Sequence, residues 1–195
     1  HLTSSNDESM YGQFIGDIRS VNPKARIVGL SATPFRTGEG PICGKNKLFQ
    51  RICHESLTGD LIKEGFLSEI TNKPAVATVD TSGIKTHGGE FIAGDAERVF
   101  DSGDNVSMAC REIVEKCHDR HSVLVFSSGV NHAEHIADCL HSLTGERIGL
   151  ITGNTMDLER SALLSDFKNQ QLRWLVNCEV LTTGFDAPCI DAIAV

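Results

Sequence analysis

The chain has 195 residues, of which 40% are apolar and 23% are charged, and this composition excludes disordered, fibrous and collagen-like proteins. At roughly 150 residues per domain, the length allows one domain or two small ones. The 18 basic and 26 acidic side chains give a formal net charge of −8, which disfavours general attraction to nucleic acid or to an anionic membrane. Any contact with a polyanion is therefore expected to be local.

Neither a membrane span nor a cysteine motif is evident in the sequence. No run approaches about 18 consecutive apolar residues, and the first residues are polar, so we expect a cytoplasmic protein without membrane contact. The 7 cysteines are an odd number, and no two of them have the C-x-x-C spacing of a zinc or redox motif. We expect reduced cysteines that are largely buried, and no metal site.

The first part of the chain predicts a helix, a buried strand and a second helix. Apolar side chains stand at helical spacing in residues 10–18, and an Asn-Pro pair ends this helix. Residues 26–33, RIVGLSAT, are apolar and partly β-branched and are followed by proline, so they predict a buried strand. A short helix that ends at a glycine is expected within residues 57–65. We expect residues 1–70 to form one domain fragment.

The rest of the chain is expected to contain a connector and a second domain. Residues 71–105 are rich in glycine and have weak periodicity, which is typical of a connector or an insertion. In residues 106–195 helical and strand patterns alternate, and this alternation predicts an α/β fold with a parallel sheet and flanking helices. The expected strands are residues 123–126, 148–151, 174–177 and 192–195, and the expected helices are 105–117, 132–142 and 156–168.

Four loops that follow predicted strands carry small hydroxyl side chains and glycines. They are residues 33–36, 127–129, 152–154 and 181–188. Ligands of parallel sheets bind beside the carboxyl ends of the strands, where backbone N–H and hydroxyl groups donate to phosphate oxygens. Such neutral donors hold a phosphodiester backbone without a basic surface, so the acidic net charge does not exclude nucleic acid. For any one of these loops, an ordinary turn is the alternative interpretation.

Two of these segments resemble motifs of superfamily 2 helicases. GLSATPFR at residues 29–36 resembles motif III, and VLTTGFDAP at residues 180–188 resembles motif V. Residues 123–128 are similar to motif IV, and the Thr-Gly pair at 152–153 is similar to the motif that precedes motif V. Within the superfamily, the chain most resembles the RadD-like bacterial DNA-repair helicases through residues 63–67 and 177–188.

The resemblance implies two incomplete RecA-like helicase lobes. Residues 1–70 would be the carboxyl-terminal part of the first lobe, and residues 106–195 would be the second lobe, truncated at its carboxyl terminus. The parent protein would be an ATP-dependent DNA helicase or translocase, acting in DNA repair and binding the nucleic-acid backbone phosphates. Its ATP and Mg²⁺ would be bound mainly by segments outside this chain.

The resemblance also assigns roles to individual residues. Ser31, Ala32 and Thr33 of motif III would couple the nucleotide site to the nucleic-acid site, and Asp186 and Gly184 of motif V would contact ATP. From the residues alone, Asp186 as a turn residue and Ser31 as a strand cap stay open. The positions that match the nucleic-acid-binding motifs are Ser127, Ser128, Thr152, Gly153, Thr183 and Gly184.

The sequence departs from that of a complete motor. A G-x-x-x-x-G-K-[ST] phosphate loop is absent: GPICGKN at residues 40–46 has three residues between its glycines and asparagine in place of the Mg²⁺-binding hydroxyl. By the same resemblance, we expect His1 to be the last residue of motif II and motif VI to lie just beyond Val195. We therefore expect this fragment alone not to hydrolyse ATP, and we expect exposed strand edges at both ends to favour self-association.

Two alternatives to a repair helicase stay open. One is the motor subunit of a restriction system, which a nuclease domain in the parent protein would indicate. The other is a non-catalytic module that binds nucleotide or nucleic acid, which the missing phosphate loop by itself favours. A phosphate loop and an Asp-Glu pair encoded upstream of His1 would indicate a motor.

Overall fold

A computed structural model describes residues 10–36, 40–45, 47–76, 78–87, 90–182 and 184–195. The chain divides into two compact units, His1–Thr71 and Asn72–Val195. Most of the expected connector therefore belongs to the second unit. Among the described residues, no helix is both long and apolar enough to cross a membrane.

In its described residues, the first unit contains two helices and a short hairpin. Helix α1 is Met10–Val21 and ends directly before the Asn-Pro pair, as the sequence predicts. Strands β1, Phe35–Arg36, and β2, Gly40–Pro41, pair in antiparallel orientation. Helix α2, Thr58–Lys63, confirms the second predicted helix. Neither helix contributes a buried residue.

The buried strand predicted at residues 26–33 is absent, so this prediction is wrong. These residues make no strand pairing, and Val28 and Leu30 are 84% and 98% exposed. A buried parallel strand needs neighbouring strands and helices packed on both faces. The described part of this unit contributes only a hairpin of two-residue strands and helices without buried side chains. Residues 26–33 favour the extended conformation, but they have no neighbouring strand to pair with.

The second unit opens with a hairpin and two helices. Strands β3, Thr86–His87, and β4, Glu90–Phe91, pair in antiparallel orientation, and helix α3, Ala93–Phe100, follows directly. Helix α4, Asn105–Lys116, comes next. The first part of the expected connector packs on α4, since the backbone N–H of Val76 donates to the Glu112 carboxylate over 2.7 Å.

A parallel sheet with helices on both faces confirms the predicted fold class. Its four strands lie in the order β6-β7-β5-β8, with all pairs parallel. Helices α5 and α6 connect β5 to β6 and β6 to β7. The bounds are β5 Val123–Phe126, α5 Val130–Thr144, β6 Ile148–Ile151, α6 Asp157–Lys168, β7 Trp174–Asn177 and β8 Ala192–Ala194.

The core has two layers because successive strand residues point to opposite faces of the sheet. Val125 and Trp174 belong to a cluster that includes buried residues of α4 and α5. Leu124 and Leu175 belong to a second cluster, which packs against Phe167 and Leu163 of α6. Apolar runs on the central strands β5 and β7 thus match burial on both faces.

All seven cysteines are free thiols. Burial raises the pKa of the Cys110, Cys117 and Cys178 thiols, so these side chains stay protonated at neutral pH. Cys53 is exposed, so the expected burial does not extend to every cysteine.

We predict that F167A lowers the free energy of unfolding of the second unit by about 3–5 kcal/mol, because the ring is fully buried under the sheet. Urea denaturation followed by the fluorescence of Trp174, the single tryptophan and itself fully buried in this unit, measures the change. F91A is the matched control, since Phe91 is 50% exposed and its loss should cost less than about 1 kcal/mol. Equal effects of the two substitutions would contradict the prediction.

Candidate functional site

Three of the predicted loops begin side by side at one edge of the sheet. The backbone N–H of Cys178 donates to the Ile151 carbonyl over 3.1 Å, and that of Ser127 donates to the Asn177 carbonyl over 3.0 Å. These bonds align the carboxyl ends of β6, β7 and β5 in a row. The loops at residues 127–129, 152–155 and 178–182 therefore leave the sheet next to one another, where α/β sheets bind ligands.

Asn177 connects these strand ends from inside the protein. Its side chain is fully buried; Nδ2 donates to the Val125 carbonyl over 3.1 Å, and Oδ1 accepts from the Leu181 N–H over 3.2 Å. A buried amide is tolerated when its polar atoms are hydrogen-bonded, and here both are. The sequence analysis missed this role, although a polar residue closing the apolar strand WLVN was the available signal.

The serines of the loop after β5 are already engaged. Ser127 Oγ donates to the Gly129 carbonyl over 3.0 Å. Ser128 Oγ lies 2.8 Å from His132 Nδ1, which also accepts from the Ser128 backbone N–H over 3.3 Å. The His132 ring stacks on Phe100 with 6.4 Å between ring centroids, and burial lowers its pKa. A neutral imidazole with Nδ1 as the acceptor suits this arrangement.

A carboxylate from α3 occupies the first turn of α5. Glu97 Oε1 accepts from the backbone N–H groups of Asn131 and His132 over 2.8 and 3.3 Å. A Cβ atom at Gly129 would overlap the Glu97 carboxyl group, so the glycine leaves room for it. Negative charge is favoured at a helix amino terminus. The sequence analysis missed Glu97 because it lies in the segment interpreted as a connector.

In the loop after β6, the threonine is buried and the glycine is exposed. Thr152 is 5% exposed; its N–H donates to Thr155 Oγ1 over 2.9 Å, and its own Oγ1 accepts from the Asn154 N–H over 3.2 Å. Arg160 donates to the carbonyls of Thr152 and Thr155, both over 3.3 Å. Gly153 is exposed, so its backbone is open to a ligand while Thr152 stiffens the loop and Arg160 adds a positive charge.

The loop after β7 has unusual backbone geometry. Glu179 has a φ of 57°, a left-handed conformation that costs a residue with a Cβ atom roughly 1–2 kcal/mol. Gly184 has a φ of 74° and is exposed, as is Asp186. Thr183 lies outside the described residues. The observed strain occurs next to the predicted site, as is common for ligand-binding loops.

Ser31, Ala32 and Thr33 lie in the other compact unit and are exposed. Ser31 Oγ accepts from the Thr33 N–H over 3.1 Å, which makes a local turn. Their coupling role stays a prediction.

Comparisons with known proteins show that the chain is similar to helicases. Residues 104–195 match the helicase conserved C-terminal domain family. A protein named as a mitochondrial ATP-dependent helicase, irc3 of Schizosaccharomyces pombe, is 31% identical over 180 residues, or 89% of this chain. A protein named as the ATP-dependent helicase IRC3 of Saccharomyces cerevisiae is 23% identical over 173 residues, or 87% of this chain. The chain spans 28% and 24% of the length of these relatives.

A solved structure also aligns with part of the chain. The Mycobacterium smegmatis helicase Lhr, bound to ssDNA and AMP-PNP, covers 48% of this chain with 13% of its own, at a TM-score of 0.43 and 22% identity. The domain match and the two curated relatives show that the chain is similar to the C-terminal domain of helicases and to proteins named as ATP-dependent helicases. They do not single out the RadD-like subgroup.

We predict that N177A lowers the free energy of unfolding by about 2 kcal/mol, because the Val125 carbonyl and the Leu181 N–H lose their buried partner. Amide hydrogen exchange at Leu181 should accelerate at the same time. N154A, on the exposed part of a neighbouring loop, is the control and should change stability by less than about 0.5 kcal/mol. Unchanged exchange at Leu181 in N177A would contradict the role of Asn177.

We predict a pH-dependent contribution from the pair that joins His135 on α5 to Asp101, 2.7 Å apart. The hydrogen bond to Asp101 raises the pKa of His135 above its ordinary 6.5, and Asp138 and Glu134 act in the same direction. The pair therefore stabilises the fold fully below about pH 6.5, and this contribution is lost as the pH rises through the folded-state pKa.

The unfolding free energies of wild type and H135Q should accordingly differ more at pH 5.5 than at pH 8.5. The effect is small because the histidine side chain is 60% exposed. A difference that grows with pH would contradict the assignment.

Proposed function

We propose that this chain is part of an ATP-dependent helicase or translocase and that its second unit holds nucleic acid at the carboxyl edge of the four-stranded sheet. The observation that carries the proposal is the alignment of three strand ends through the Cys178–Ile151 and Ser127–Asn177 backbone hydrogen bonds. This alignment sets three loops of small residues along one edge. A row of backbone donors of this kind suits the repeating phosphates of a single strand.

The proposed grip is local and independent of base sequence. Gly153 and Gly184 are exposed and carry no side chain, so a phosphate can approach their backbone closely. Arg160 supplies a positive charge at the loop that contains Gly153, because it donates to the Thr152 carbonyl of that loop. This positive charge is local, since the chain as a whole carries −8. Contacts to phosphates position a strand without reading its bases, so we expect little sequence preference.

Asp186 is proposed to face the nucleotide and not the strand. A carboxylate accepts hydrogen bonds from ribose hydroxyl groups and repels phosphates, so its separation from Gly184 on one loop suits two different ligands. Ser31, Ala32 and Thr33 would couple the two sites. The triphosphate and Mg²⁺ would be held mainly by residues outside this chain, because the sequence lacks the phosphate loop.

The finer assignments rest on the sequence motifs. We retain residues 1–70 as part of a first lobe, 71–105 as a connector or an insertion, and DNA repair of the RadD-like kind as the proposed setting. A restriction motor and a non-catalytic binding module are the alternatives. DNA as the preferred nucleic acid, self-association of the fragment and a cytoplasmic location also stay predictions, and one relative is named as mitochondrial.

We predict that the purified chain binds a fluorescein-labelled 20-nucleotide single strand, with an affinity that falls as salt rises. Fluorescence anisotropy with one DNA and one RNA of the same sequence measures the binding and tests the preference for DNA. R160Q should weaken binding by roughly threefold to tenfold, because a cation beside the phosphates is lost.

R147Q is the matched control for charge, since Arg147 precedes β6 and therefore lies at the opposite edge of the sheet, paired with Asp166 at 2.7 Å. Its affinity should stay within about twofold of wild type. Equal weakening by the two substitutions would locate the nucleic acid elsewhere, and absence of binding to both strands would overturn the proposed function.

A further inference from the structure

We propose that Glu97 is a built-in competitor of nucleic acid: its carboxylate occupies backbone donors at the start of α5, and a strand engages this loop only when α3 moves away. The inference rests on the proposed function, because it concerns regulation of the same sheet edge. It assigns a regulatory role to α3, which is part of the segment between the two predicted lobes.

The first step is the identity of the donors. The N–H groups of Asn131 and His132 belong to the first turn of α5, directly after the serine loop of β5. Glu97 Oε1 accepts from both, over 2.8 and 3.3 Å. The partial positive charge of a helix amino terminus attracts a carboxylate and a phosphate oxygen for the same reason. Glu97 and a phosphodiester group would therefore compete for one pair of donors.

The second step is the space at Gly129. This residue has φ −171° and ψ 173°, an extended conformation that any amino acid adopts. Backbone geometry thus does not require glycine here. The Cβ atom of any other residue would overlap the Glu97 carboxyl group, so the missing side chain provides the space that the anion occupies.

The third step is the state of the remaining donors. The Ser127 hydroxyl donates to Gly129, and both the hydroxyl and the N–H of Ser128 are directed to His132. Each of these donors, like the two that Glu97 takes, is already engaged within the protein. These particular donors are therefore unavailable to a phosphate in this conformation.

The fourth step is how α3 is held. Besides Glu97 and the buried side chain of Ala96, the helix is attached through Phe100, which stacks on His132, and through Asp101 directly after it, which pairs with His135. The ion pair is exposed on its histidine side, and such pairs contribute little stability. The polar contacts of Glu97 and Asp101 can be exchanged for phosphate contacts. The two carboxylates would repel an incoming phosphate until α3 leaves.

The test compares two ways of weakening the contact between Glu97 and these donors with a matched control. E97Q removes the charge and keeps the size of the side chain, whereas G129A keeps the charge and displaces the carboxylate. D95N makes the same charge change on the same helix, where Asp95 pairs with Arg98 at 3.2 Å and not with α5. Anisotropy with the labelled 20-nucleotide strand measures the dissociation constant of each, and urea unfolding followed by Trp174 fluorescence confirms that each variant is folded.

We expect E97Q and G129A to bind roughly threefold to tenfold more tightly than wild type and D95N to stay within about twofold. The amide NMR signals of Asn131 and His132 should shift when the strand is added to wild type, because their acceptor changes. Equal gains for E97Q and D95N would show a general charge effect and overturn the proposal. Unchanged or weaker binding by E97Q would show that Glu97 is only a helix cap.

The two proposals fail in different ways. If wild type binds the strand with the expected dependence on Arg160 while E97Q and G129A gain nothing, the competition is wrong and the proposed function stands. If neither wild type nor any variant binds the strand, the proposed function is wrong, and the competition is overturned with it.

Discussion

The register of the parallel sheet is the constraint on which the site depends. Phe126 and Ile151 both align with Asn177, so three strands end at the same level. The buried Asn177 amide then bonds to β5 on one side and to the following loop on the other. Because the strand ends are level and tied together, the loops that leave them share one edge. A slip of one residue would also turn every apolar strand side chain to the opposite face.

This arrangement explains how a protein with a negative net charge could bind a nucleic acid, which is also negatively charged. Backbone N–H groups and glycines act over hydrogen-bonding distance, whereas the net charge of −8 acts over a Debye length of roughly 8–10 Å. Hydrogen bonds from a row of backbone donors can therefore hold a phosphate despite the repulsion by the net negative charge. A carboxylate can accept hydrogen bonds from the same donors. Glu97 is an example, because the backbone N–H groups that we propose for phosphate binding also bind the Glu97 carboxylate from α3.

Sequence patterns predicted the parallel sheet of the second unit and both helices of the first unit, but not the exposure of residues 26–33. Each strand of the parallel sheet and each helix packed on it lies within a few residues of its predicted position, because apolar periodicity there matches real burial on both faces. The segment at residues 26–33 has the same apolar character, yet Val28 and Leu30 are exposed. Periodicity reports which side chains favour burial, and neighbouring strands decide whether burial occurs.

The sequence by itself determined the positions of these elements and of the loops after β5, β6 and β7, since both depend on neighbours a few residues apart. Only the tertiary structure decided which donors in those loops are engaged. Glu97 reaches Asn131 across 34 positions of the chain, and Asn177 reaches Val125 across 52. No local pattern encodes such pairs, because a hydrogen bond depends on distance and direction in space, and packing of the helices on the sheet sets both.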